Sequence, residues 1–134
     1  MSYQSIRGYL EATTGNALIA GGIPLVFYDN VAHAQPDAGQ SYAEININFT
    51  GVKRDTVGCP GNDNIGGTIS AFIRTPANTG SVPGEQAAFS VLREWSLSTQ
   101  VWLRNLDGPR VISDDEGDVH QLYTVTAALY GRLD

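Results

Sequence analysis

Two histidines and one cysteine carry most of what could be reactive in this 134-residue chain. His33 sits in "FYDNVAHAQPD", four residues after Asp29 and four before Asp37. On a helix that spacing would put a histidine between two carboxylates on one face, an arrangement suited to general acid and base work or to holding a cation. Pro36 forbids a regular helix there, because proline lacks an amide hydrogen and pushes Gln35 out of the helical region. In an extended chain neighbouring members of the trio would lie about 13 Å apart. The spacing therefore describes a turn on the surface rather than a catalytic group.

Cys59, between Gly58 and Pro60, would be a nucleophile only beside a histidine, and no cysteine-protease motif surrounds it. His33, His120 and Cys59 are far apart in sequence and lack metal-ligand spacing. "DDEGD", residues 114–118, resembles a calcium loop only superficially, since its glycine is misplaced and no glutamate follows at the twelfth position. Phosphate-binding, nucleophile-elbow and dinucleotide glycine motifs do not occur. The expectation is a protein that is not an enzyme, with no cofactor and no metal.

The elements that would position any site follow from periodicity. Ser2 can cap a helix over residues 3–14, and Gly15-Asn16 is expected to end it, with "ALIAGG" adding a helical turn before Gly21-Gly22 stops it and Pro24 confirms the break. "LVFYD" reads as a strand. In "YAEININFT" the residues Ala43, Ile45, Ile47 and Phe49 alternate with polar ones, giving one buried and one wet face, and "GTISAFIRT" repeats the alternation. The glycine-rich stretch 51–66 between them is read as a long loop. Residues 85–99 form the best helix, with Ala88, Val91, Leu92 and Trp95 on one stripe and Pro83 near its start. "VWLRNL" and "RVIS" flank Asp107-Gly108, which reads as a tight turn, and "VHQLYTVTAALYGRL" closes as a strand. The sum is one α+β domain over residues 1–134, with a mainly antiparallel sheet of about four to five strands and two helices packed on one face.

Composition narrows the function. Net charge is −6, and Lys53 is the only lysine. The arginines are dispersed, so the basic face that duplex DNA requires is missing. A charged share of 16% is low, which fits a chain that buries surface against other subunits. The first residues lack the pattern of a signal peptide, and apolar runs such as "IPLVFY" are too short to span a membrane. The sequon Asn48-Phe49-Thr50 is read as fortuitous, and the cytoplasm of a cell is the expected address.

These elements together resemble the tail terminator, or tail completion, proteins of long-tailed bacteriophages. "SYQSIRGYLEA" is similar to their first helix, and "PLVFYDNVAHAQPDAGQSYAEININF" to their passage from one strand to the next. "GGTISAFIRTPANTGSVPGEQAAFSVLREW" is similar to their third strand, proline-containing loop and second helix, and "LYTVTAALYGRLD" to their last strand. The stretch from Gly51 to Asn64 departs from the family. The resemblance implies a structural virion protein at the head-proximal end of the tail. It would form a ring, a homohexamer, that caps the tail tube, ends its polymerisation and joins the head connector or neck protein. The genome would pass through that ring without specific binding.

On that reading the basic pair Lys53 and Arg54 and the acidic cluster Asp114, Asp115, Glu116 and Asp118 are candidate contacts. They would meet across a subunit boundary, or one would face the tube protein, or both would be solvated loops, where exposed ion pairs contribute only about 0–1 kcal/mol. An acidic lumen would repel passing DNA. Competing readings are a neck or head-completion protein, a small enzyme using His33, His120 or Cys59, and an adhesin-type module based on Trp95, Trp102, Tyr123 and Tyr130.

Overall fold

The computed structural model describes residues 2–29, 36, 39–54, 63–76, 80–112 and 120–133, with backbone alone at 53, 54, 63, 112 and 133. In chain order the elements are α1 (Tyr3–Ala20), β1 (Leu25–Tyr28), β2 (Tyr42–Arg54), β3 (Asp63–Pro76), α2 (Val82–Ser96), β4 (Trp102–Ile112) and β5 (His120–Leu133). The fold is α+β, and its five strands form one mixed sheet in the order β1-β2-β3-β5-β4. β1 pairs with β2 in parallel, and every other pairing is antiparallel.

Ser2 caps α1 as its neighbours require, its hydroxyl accepting the Ser5 amide hydrogen at 3.1 Å. The expected stop at Gly15-Asn16 does not occur, and α1 runs unbroken to Ala20. Gly15 is small for another reason. A Cβ there would lie 2.8 Å from the Tyr28 hydroxyl, so the glycine admits a side chain from β1. The helix ends at Gly21-Gly22, the second stop that the sequence offers, where Gly22 takes a left-handed φ of 100° and the Ile23 amide donates back to the Leu18 carbonyl.

Strand alternation supplies the core. Ala43, Ile45 and Ile47 stand opposite Ile73, Ala71 and Ile69, and those three stand opposite Tyr123, Val125 and Ala127. One face of three adjacent strands is thereby apolar and buried. Ile6, Leu10 and Leu18 of α1 join the same cluster, as do Ala88, Val91 and Trp95 of α2. The helices touch through small residues, and a Cβ on Gly21 would lie 2.9 Å from the Cα of Ala87. Two hydrogen bonds lock them, Trp95 Nε1 to Thr14 Oγ1 at 2.9 Å and Ser90 Oγ to the Ala17 carbonyl at 2.8 Å.

Two turn assignments need correction. Within the stretch 51–66, residues 51–54 and 63–66 are strand, because β2 continues to Arg54 and β3 begins at Asp63, and 55–62 lie outside the described residues. Gly51 stands opposite Gly66 beside a bulge between Phe49 and Gly51, and a Cβ on the neighbouring Gly67 would come within 2.2 Å of the Asn48 carbonyl oxygen. Asp107-Gly108 does not reverse the chain either. β4 passes straight through it, absorbing the extra residues as register shifts on both sides of Asp107. Asn105 and Gly108 take φ of 55° and 119° there, and the Gly108–Pro109 bond is cis.

Candidate interaction surface

The residues that could have done chemistry are placed as scaffold where the structure describes them. Asp29 extends the β1–β2 ladder by one side chain. Its Oδ2 accepts the Ile47 amide hydrogen at 2.6 Å and an Arg7 guanidinium hydrogen at 3.1 Å. Arg7 also donates to the Ile47 carbonyl at 2.9 Å and lies over the Phe49 ring at 5.2 Å. The carboxylate thus ties α1 to the start of the sheet. His33, Asp37 and Cys59 lie outside the described residues. His120 is buried, donates Nε2–H to the Gln40 carbonyl at 2.8 Å, and meets the Tyr42 ring edge-on at 5.3 Å. It fastens the start of β5 to the segment before β2. Among the described residues no group of three His, Cys, Asp or Glu side chains could hold a metal ion. No helix among them is long and apolar enough to cross a membrane.

Lys53 and Arg54 sit at the end of β2, paired in register with Asn64 and Asp63, and their side chains lie outside the described residues. Asp114, Asp115, Glu116 and Asp118 also lie outside, in the connection from Ile112 to His120. The strand directions nonetheless separate the two regions. β2 ends beside the start of β3 and the end of β5, whereas Ile112 and His120 mark the opposite end of the sheet. A strand the length of β5 spans about 45 Å, so the anchors of the two regions lie far apart within one chain.

The face of the sheet turned away from the core is unusual in composition. Its middle is built from Asn46, Asn48, Thr68, Ser70, Thr126 and Ala128, with no charge. At one end Glu44 and Arg74 pair with each other, and the guanidinium lies over Tyr42. At the other end, Trp102 and Tyr130 stand directly opposite on β4 and β5 and are 61% and 47% exposed. Arg104, two residues along β4, stacks on both rings, its guanidinium carbon 5.5 Å from the Trp102 centroid and 5.6 Å from that of Tyr130. It has no carboxylate partner among the described residues. Sequence reasoning counted Trp102 and Tyr130 only in an aromatic tally. The available signal was the alternation in "VWLR": Val101 is buried and Leu103 packs against the core, which turns Trp102 and Arg104 outward.

Helix α2 presents a second exposed surface. Its inward stripe is buried, but Val82 and Phe89 are 68% and 58% exposed. Seven residues separate them, so they share one side of the helix, with exposed Glu85 between them. Inward from the same turn, Gly84 rests on the Tyr123 ring. The Tyr123 and Thr75 hydroxyls are buried without hydrogen-bond partners among the described residues, and burial, then the Glu85 carboxylate, raises the Tyr123 pKa above its ordinary 10.0.

No protein-family profile matches the chain, and no curated protein does. Among solved structures, one whose name describes no function aligns over 100% of this chain and 97% of its own, with a TM-score of 0.68 and 22% identity. That likeness establishes a shared fold.

Proposed function

We propose that this chain is a tail-terminator-like virion protein, a ring-forming cap that binds the end of a phage tail tube, stops its growth and offers a surface to the head connector. The sequence resemblance motivates the reading. The observation that carries it is the pair of unlike exposed surfaces: the charge-poor sheet face ending in Trp102, Arg104 and Tyr130, and the outer stripe of α2. Trp, Tyr and Arg are the residues that anchor protein–protein contacts, and charge depletion marks the centre of such contacts. Unlike surfaces join copies head to tail, the contact type from which closed rings are built. In this reading the ring works by shape, and DNA passes it without being read.

The test adds the purified protein to polymerising tail-tube subunits and measures tube length and end decoration by electron microscopy. Tubes should stop growing and carry the protein at one end. Unchanged growth with bare ends would refute the proposal. Binding to head connectors without binding tube ends would favour a neck or head-completion protein.

A further inference from the structure

We infer that the two exposed surfaces are halves of one contact: α2 of one copy seats on the Trp102–Arg104–Tyr130 corner of the next. Val82 and Phe89 lie against the two rings, and Glu85 takes the free edge of the Arg104 guanidinium. The inference rests on the self-assembling ring proposed above and assigns its subunit boundary.

Three observations carry it. First, direction: Gly84 places the start of α2 on the Tyr123 side of the sheet, whereas Trp102 and Tyr130 neighbour the inward-facing Leu103 and Leu129 and so face the other way. One copy cannot join its own surfaces, and a second copy can. Second, dimensions: Val82 and Phe89 are separated by about 10 Å along the helix axis. Trp102 and Arg104 are separated by about 7 Å along β4, and Tyr130 adds a strand spacing of about 5 Å across it. Two apolar knobs and the carboxylate between them thus face two adjacent rings and a guanidinium equidistant from both.

Third, charge: in a chain of net charge −6, Arg104 keeps its hydrogen-bonding edge clear of carboxylates among the described residues. A guanidinium held flat by two rings is pre-organised to take a carboxylate in a bidentate pair. Glu85 is exposed and has no cationic partner among the described residues. The result is a layered packing, with a helix from the neighbour covering the sheet face that the chain's own helices leave open.

Charge exchange tests this in the full chain. Glu85→Arg and Arg104→Glu each place like charges in the contact, and each should weaken self-association about a hundredfold. The double variant E85R/R104E should associate again. An equimolar mixture of the two single variants should also do so, because alternating copies restore every pair. Sedimentation velocity over a wide concentration range reads the assemblies, and far-ultraviolet circular dichroism checks that each variant is folded. If the wild type assembles and both single variants assemble equally well, the contact is wrong while the ring stands. The contact is equally wrong if the single variants fail and neither the double variant nor the mixture recovers. If the wild type stays monomeric throughout, the contact is overturned for the free protein, and the tube-length assay decides the ring separately.

Discussion

Gly84→Ala is a small change with a large steric consequence. A Cβ built on Gly84 falls 2.2 Å from Cε2 of Tyr123, 2.4 Å from Cδ2 and 2.7 Å from Cζ. Ordinary carbon contacts lie at about 3.5–4.0 Å, so helix and ring would have to part by more than about 1 Å. The ring cannot swing outward, because Tyr123 is fully buried between β3 and α2. Alanine favours the helix by about 1 kcal/mol over glycine, but overpacking a filled core costs about 1–3 kcal/mol and occasionally more. The clash involves three ring atoms at once, so the high end applies, and the net loss should be about 2 kcal/mol. Urea unfolding followed by tryptophan fluorescence measures it. The decisive comparison is a double-mutant cycle with Tyr123→Ala. That change alone should cost about 3–5 kcal/mol, and adding Gly84→Ala to it should cost nothing or return stability, because the methyl enters the space the ring left. Additive losses, or a Gly84→Ala variant as stable as the wild type, would refute the claim that this glycine exists to admit the ring.

The Tyr123 hydroxyl gives a pH-dependent companion. Its raised folded-state pKa means the unfolded chain releases that proton first, so the stabilisation is intact below about pH 10 and declines as pH rises above it. Tyr123→Phe should flatten that alkaline loss and, by deleting a buried hydroxyl without a partner, should hold or raise stability at neutral pH; urea midpoints between pH 7 and 11 check both. Asp29→Ala should cost about 2 kcal/mol, because it removes the acceptor that Arg7 and the Ile47 amide share while Arg7 keeps the Ile47 carbonyl, and Asp29→Asn should cost less; a loss below about 0.5 kcal/mol in chemical denaturation would contradict the tie between α1 and the sheet. Gly67→Ala should lower the melting temperature more than Gly66→Ala. A Cβ meets the Asn48 carbonyl oxygen at 2.2 Å in the first case and finds ordinary contacts at 3.8 Å or beyond in the second.

Much of this architecture is visible in the linear chain. Residues whose burial repeats with strand or helix period announce themselves, as Ala43, Ile45 and Ile47 do in β2 and Ala88, Val91 and Trp95 do in α2. What stays hidden is set by distant partners. Gly15 reads as a stop because nothing local says that Tyr28 presses on it. Gly51 and Gly66 read as loop, although they pair with each other beside a bulge between two long antiparallel strands. Asp107-Gly108 has turn chemistry, yet β5 runs alongside and draws the chain through it as an irregular strand. The surface is hidden for the same reason. Trp102 and Tyr130 are 28 residues apart, and only the β4–β5 register brings them together around Arg104. Lys53 and Arg54 and the acidic run at 114–118 are conspicuous as charge. The strand directions place the ends of those regions at opposite edges of the subunit.

The irregular course of β4 has a consequence for how such a chain can safely accumulate. A border strand normally offers a row of free amide and carbonyl groups to which any stray segment can add. Here that row is broken by two shifts in register, by a proline with no hydrogen to give, and by the Asp107–Arg110 ion pair at 2.8 Å. The opposite border, β1, is four residues long. Fibrous growth through the backbone is therefore obstructed on both flanks, and crowded copies are left to recognise one another through side chains.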